Sequence, residues 1–166
     1  SAGNATTFGS LGTSQESLRS VASTTRGVTM GGNTNQNMYI TIASTGSSSN
    51  FGEMLTAATI QGGACSNSTR GIYAGGRRSS AQIDVVQYLT IASAGDCVDF
   101  GNLAGAGDRY NDNVCTSTRA VFLGFSGTDQ SEYVTIATTG NAVEFGDLAG
   151  NRVQVGAGTS NAHGGL

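Results

Sequence analysis

The sequence predicts an all-β protein made of tandem copies of one short-stranded unit. Three observations carry that prediction. Phe-Gly recurs at Phe8-Gly9, Phe51-Gly52, Phe100-Gly101 and Phe145-Gly146. Thr-Ile-Ala recurs at Thr41–Ala43, Thr90–Ala92 and Thr135–Ala137, each time followed by a small-Gly turn such as Ser44-Thr45-Gly46. No stretch keeps a helical period over roughly 11 residues, while short β-branched and aromatic runs alternate with Gly and Asn. Self-similarity at a fixed period is the signature of a repeat architecture. The repeats divide the chain into units 1–43, 44–92, 93–137 and a partial unit 138–166, so one repeat domain covers residues 1–166.

Each element of a unit follows from local composition. A first strand is expected around Leu18–Thr24, Gly63–Ser68 and Asn113–Ser117. A second runs through Arg26-Gly27-Val28-Thr29-Met30, Arg70-Gly71-Ile72-Tyr73-Ala74 and Arg119-Ala120-Val121-Phe122-Leu123. It ends in a Gly pair in units 1 and 2 and in Gly124-Phe125 in unit 3. A third strand occupies Met38–Ile42, Val85–Ile91 and Tyr133–Ile136, where β-branched and aromatic residues concentrate. The Phe-Gly segment forms a fourth strand or a strand-to-strand corner. The surplus length of unit 2 falls at Arg77–Ile83, between its second and third strands. Insertions in one slot of a repeat map to one face of the assembly. Four short strands in about 45 residues is the size of one propeller blade.

Composition narrows the function classes. The 166 residues include 26 Gly but no Pro and no Trp, and only 11% are charged. Ser, Thr and Asn fill the surface that charge normally fills. The net charge is −3, and all eight basic residues are Arg, so the phosphate-neutralising surface that a nucleic acid requires is not expected. No run of 18 apolar residues spans a membrane, and no leader-like stretch is visible at Ser1. Cys65, Cys97 and Cys115 are an odd set without zinc-ligand spacing. Cys65 and Cys115 read as one slot in successive repeats, filled by free, buried thiols.

The order of second strand, Gly pair, variable loop and Tyr-bearing strand resembles the kelch repeat. Gly31-Gly32 with Tyr39, and Gly75-Gly76 with Tyr88, follow it, and Phe8, Phe51, Phe100 and Phe145 stand where kelch blades carry Trp. The chain is still more similar to kelch-like arrays of tailed bacteriophages, marine ones above all. Ser66-Asn67-Ser68-Thr69-Arg70-Gly71-Ile72-Tyr73, Tyr133-Val134-Thr135-Ile136-Ala137 and Glu144-Phe145-Gly146-Asp147-Leu148 quote their pattern. That resemblance implies a kelch-like β-propeller and a virion appendage or tail-fibre-like protein. Its location would be the virion surface or an extracellular one, and its partners other virion proteins or copies of itself. Three units and a part are awkward for one closed ring. A fragment of a longer polypeptide is the favoured explanation, ahead of several chains completing a ring or an open stack.

Each candidate site residue also has a structural role open to it. Arg26, Arg70 and Arg119 recur in the Thr-Arg slot, and each is expected to tie its unit to the next through a carboxylate or carbonyl. Asp99 and Glu144, with Glu53 and Asp147, read as loop carboxylates rather than a Ca²⁺ site, so no metal and no cofactor are expected. His163 is the only His, which rules out a two-His metal centre. Contact with a host-surface glycan or protein is expected in the variable loops, at Asn35, Arg77, Arg78 and Asp129. The alternative is a glycan-degrading enzyme using a pair among Asp84, Asp96, Asp99, Asp108 and Asp112.

Overall fold

In the computed structural model, residues 3–56, 59–105, 112–124 and 127–150 are described. They form fifteen strands, β1 (Arg19–Ala22), β2 (Arg26–Met30), β3 (Gln36–Thr41), β4 (Ser49–Glu53), β5 (Thr59–Ile60), β6 (Gly63–Ser66), β7 (Arg70–Ala74), β8 (Arg77–Arg78), β9 (Ala81–Gln82), β10 (Val85–Thr90), β11 (Val98–Asn102), β12 (Asp112–Cys115), β13 (Arg119–Leu123), β14 (Gln130–Thr135) and β15 (Val143–Asp147). No helix occurs among the described residues, as the absence of any helical period required.

Three four-stranded antiparallel sheets form, each taking three strands from one sequence unit and its Phe-Gly strand from the start of the next, and below units 1, 2 and 3 denote these three sheets with their connecting segments. The orders are β1-β2-β3-β4, β6-β7-β10-β11 and β12-β13-β14-β15. In every sheet the register of the third strand against the fourth shifts once, at Asn37/Met38, Val86/Gln87 and Ser131/Glu132. The bulge sits opposite the Phe-Gly pair each time, so the fourth element is both a strand and a corner. The surplus of unit 2 departs from the expected loop. Arg77–Gln82 folds back as the hairpin β8-β9 and pairs with β5, giving a separate three-stranded sheet.

The core lies between sheets rather than within one. Val21, Val28, Met30 and Phe51 of unit 1 pack with Tyr73, Leu89, Ile91 and Cys97 of unit 2. Cys65, Ile72, Ala74 and Phe100 of unit 2 pack with Ala120, Phe122, Val134 and Ile136 of unit 3. Alternation along β7 explains how the middle sheet serves both sides, since Ile72 and Ala74 face one neighbour and Tyr73 the other. The first strands β1, β6 and β12 lie beside one another across these interfaces.

The Phe-Gly glycines are explained by the same interface. The Phe51 and Glu53 carbonyls accept bonds from the N–H groups of Gly95 and Cys97 in the next unit, and Phe100 and Asn102 do the same for Gly140 and Ala142. Gly52 and Gly101 hold φ of 149° and 146°, and a Cβ on either would overlap the backbone of Gly95 or Gly140. Only glycine combines that dihedral with that approach. Phe8 and Ser10 repeat the bonding toward Gly46 and Ser48 without forming a regular strand.

The cysteine expectation needs one correction. Cys65 pairs with Ile72, whereas Cys115 pairs with Ala120, the counterpart of Gly71. Cys115 therefore shares its slot with Ser66 and Ala22, and Cys65 shares its slot with Val114 and Val21. Counting along a sequence whose units differ in length missed the one-residue offset. All three thiols are free and buried.

Candidate binding face

Two sets of side chains were singled out in the sequence, and the fold separates them. The repeated Arg slot belongs to the interfaces. Arg26 donates to the carbonyls of Ile91 and Ala92 at 3.3 and 2.8 Å, and Arg70 to those of Ile136 and Ala137 at 2.9 and 3.0 Å. Each acceptor pair lies at the end of the Thr-Ile-Ala strand of the following unit. The acceptors are carbonyls, not carboxylates, so the tie survives changes of side chain in the neighbour.

The guanidinium is held in place by a stack absent from the sequence reading. Arg26, Arg70 and Arg119 lie 4.8, 4.6 and 4.6 Å from the ring centroids of Tyr39, Tyr88 and Tyr133. Those rings meet Phe51, Phe100 and Phe145 edge-on, with centroids 5.9, 5.9 and 6.1 Å apart. The Tyr-to-Phe spacing is twelve residues in all three units, a signal that could have revealed the stack. Cation–π and edge-to-face contacts contribute roughly 0.5–2 kcal/mol each.

A second polar tie joins consecutive units. Met38, Gln87 and Glu132 share the slot after the bulge. The Gln87 Oε1 accepts the Leu55 N–H at 2.7 Å, and the Glu132 Oε2 accepts the Ala104 N–H at 2.9 Å. Desolvation raises the Glu132 carboxyl above its ordinary range, against the lowering effect of N–H donors from Ala104 and Gly105. Tyr73 is pushed up to about 12 by burial; its hydroxyl donates to the Thr59 carbonyl and accepts the Gly62 N–H. Both groups are structural, each enclosed by the backbone it bonds.

The loop set lies elsewhere. Asn35, Arg77, Arg78 and Asp129 all fall in the connections between the second and third strands, at one end of their sheets. Asn35 is committed to its own unit: its Nδ2 donates to the Glu53 carboxylate at 2.8 Å, and its carbonyl accepts the Met54 N–H. Asp129 is half-buried, and its carbonyl accepts the Leu148 N–H, as that of Asp84 accepts from Leu103. Arg77 and Arg78 sit on β8, and adjacent strand residues point to opposite faces. Arg77 is half-buried and Arg78 exposed, so they present one free guanidinium rather than a fork of two.

Among the described residues no cluster of three or more His, Cys, Asp or Glu could hold a metal ion. Of the carboxylates named for glycan cleavage, Asp96 accepts the Glu53 N–H. Asp108 lies outside the described residues, as does His163. No helix among the described residues is long and apolar enough to cross a membrane. The chain matches no family model and no curated protein.

The outermost units repeat the interface chemistry without a covering neighbour among the described residues. Phe51 and Phe100 are each 2% exposed, whereas Phe145 is 55% exposed. Ile91 and Ile136 are fully buried, whereas Ile42 is 45% exposed. Beside Ile42, an apolar hollow of about 280 Å³ is lined by Leu11, Val28, Met38 and Ile40 among others.

Proposed function

We propose that the chain is a module of a virion appendage, a run of kelch-like propeller blades that presents one loop-bearing end to host-surface glycan or protein. Its location on this reading is the virion surface or an extracellular one, and its other partners are virion proteins or further units of the same kind. The blade reading is supported by three four-stranded meanders set side by side with their first strands in contact. It is also supported by Ile42 and Phe145, interface residues that stay exposed among the described residues and that another such unit would cover.

The observation that carries the binding role is the β5-β8-β9 sheet. It is the element that units 1 and 3 do not share among the described residues, and it holds the exposed Arg78. An element that departs from the repeat while the interfaces keep theirs is free to serve recognition. A guanidinium there suits carboxylated or sulfated sugars and acidic peptides.

Binding of the purified chain to immobilised acidic polysaccharide from a host surface tests this. We expect retention that weakens at least fivefold in Arg78→Ala and not in Asn35→Ala. Equal retention of both variants, or release of new reducing ends from the polysaccharide, would overturn it.

A further inference from the structure

The register offset between the two cysteines has a chemical consequence. Had Cys65 and Cys115 shared a slot, their side chains would point the same way and could not meet. Displaced by one residue, they lie on opposite faces of their strands. The slot of Cys65 faces the following unit, because the Cys65 Sγ reaches the Val114 carbonyl at 3.6 Å. The slot of Cys115 faces the preceding unit. Ser66, in that slot, bonds back to Ala22, and the Cys115 Sγ donates to the Ser66 carbonyl at 3.1 Å. The two thiols thus enter one interface from its two sides, and there they are hydrogen-bond partners. Cys97 lies in the other interface, between units 1 and 2, against Asn37 and Met54.

We propose that Cys65 and Cys115 are a latent cross-link site, closing under oxidation into a disulfide that staples the first strand of unit 2 to the first strand of unit 3. Each thiol loses its proton, the pair gives up two electrons, and the S–S bond forms as a small-molecule disulfide is reduced to two thiols. The hydrogen bond to Cys115, which keeps the proton on Cys65, and burial push the Cys65 thiol well up, so thiolate is scarce and closure is slow at neutral pH. The staple joins two repeat units that otherwise meet only through non-covalent contacts, and it closes a loop of about fifty residues in the unfolded chain.

The test incubates the folded 166-residue chain with oxidised glutathione at mildly alkaline pH, followed by alkylation and non-reducing peptide mass spectrometry. We expect one intramolecular species two hydrogens lighter, with Cys65 and Cys115 joined and Cys97 still alkylatable. We also expect a melting temperature roughly 5–10 °C higher, reversed by a reductant. Cys65→Val and Cys115→Ser adopt residues found in the same slots of other units, so both variants should fold, and each should abolish the shift. A pairing that involves Cys97, cross-links only between chains, or a melting temperature that does not rise on closure would each overturn the proposal. So would failure to pair under conditions that oxidise the thiols of the urea-unfolded chain.

Discussion

The interior interfaces and the two end faces are built from the same residues, yet they differ in what those residues do. Phe100 and Phe145 occupy one slot, make the same edge-on contact with a Tyr, and are each followed by a Gly. Phe100 is covered by unit 3; Phe145 stands open. Burial in this protein is therefore supplied by the neighbouring unit, not by a residue's own sheet. That is the energetic pattern of a quasi-one-dimensional array, where stability is a sum of nearest-neighbour terms. The same substitution made at an interior slot and at an end slot separates the neighbour's contribution from the unit's own.

The largest separation is expected at the phenylalanines. Phe100→Ala empties a packed interface and should cost about 3–5 kcal/mol, whereas Phe145→Ala should cost under about 1 kcal/mol. Urea unfolding of the two variants measures the difference, and equal costs would break the comparison. The glycines come next. Gly101→Ala and Gly146→Ala share the strain of a positive φ, 146° and 140°. Only Gly101 also meets a neighbour's backbone; a Cβ at Gly146 would meet nothing within 4 Å. Gly101→Ala should therefore cost about 1–3 kcal/mol more than Gly146→Ala in the same assay.

The arginines give a smaller but cleaner contrast. Arg70 stacks on Tyr88 and bonds two carbonyls of unit 3, while Arg119 is exposed and keeps its stack on Tyr133. Arg70→Ala should cost about 2 kcal/mol and Arg119→Ala about 0.5–1 kcal/mol. Arg70→Lys should recover little, because a lysine cannot match the planar stack while reaching both carbonyls. A lysine that restored full stability would show that charge alone holds the interface.

Most of the scaffold was legible in the sequence. Recurrent Phe-Gly and Thr-Ile-Ala revealed the repetition, and the β-branched runs located the strands, because a repeat is read several times over; the sheets themselves straddle the unit boundaries read from the sequence. The ties of Arg26 and Arg70 to the next unit were also legible, whereas Arg119 keeps only its stack on Tyr133 among the described contacts. Three things were not. The cysteine register depends on pairing across strands, and unequal unit lengths hide it. The Arg-Tyr-Phe stack brings together residues from three strands, and although its Tyr-to-Phe spacing is constant, its Arg-to-Tyr spacing differs from unit to unit. The β8-β9 hairpin has no copy in the other units, so repetition offered no guide to it. The same asymmetry explains why the proposed binding face was less readable than the fold: the element proposed for recognition has no copy to be read against.

The smallest expected effect lies in the slot shared by Met38, Gln87 and Glu132, where the comparison runs between two covered positions. Gln87 and Glu132 both accept a backbone N–H from the preceding unit, but only Glu132 carries an ionisable group. Burial raises its folded-state pKa above the ordinary value of 4.5. The folded protein therefore holds that proton more tightly than the unfolded chain does. Stability from this site is complete below about pH 4.5 and is lost as pH rises through the folded-state value. At neutral pH the carboxylate is a net cost. Glu132→Gln, copying unit 2, keeps the acceptor and removes the charge, so it should stabilise the protein at pH 7. Near pH 4 the gain should vanish, because the wild-type carboxyl is then neutral as well. Urea titrations of both proteins at the two pH values decide the matter. A variant less stable than wild type at pH 7 would mean that the charge strengthens the bonds from Ala104 and Gly105 by more than burial costs it. The polar ties of units 2 and 3 would then be different devices in the same slot.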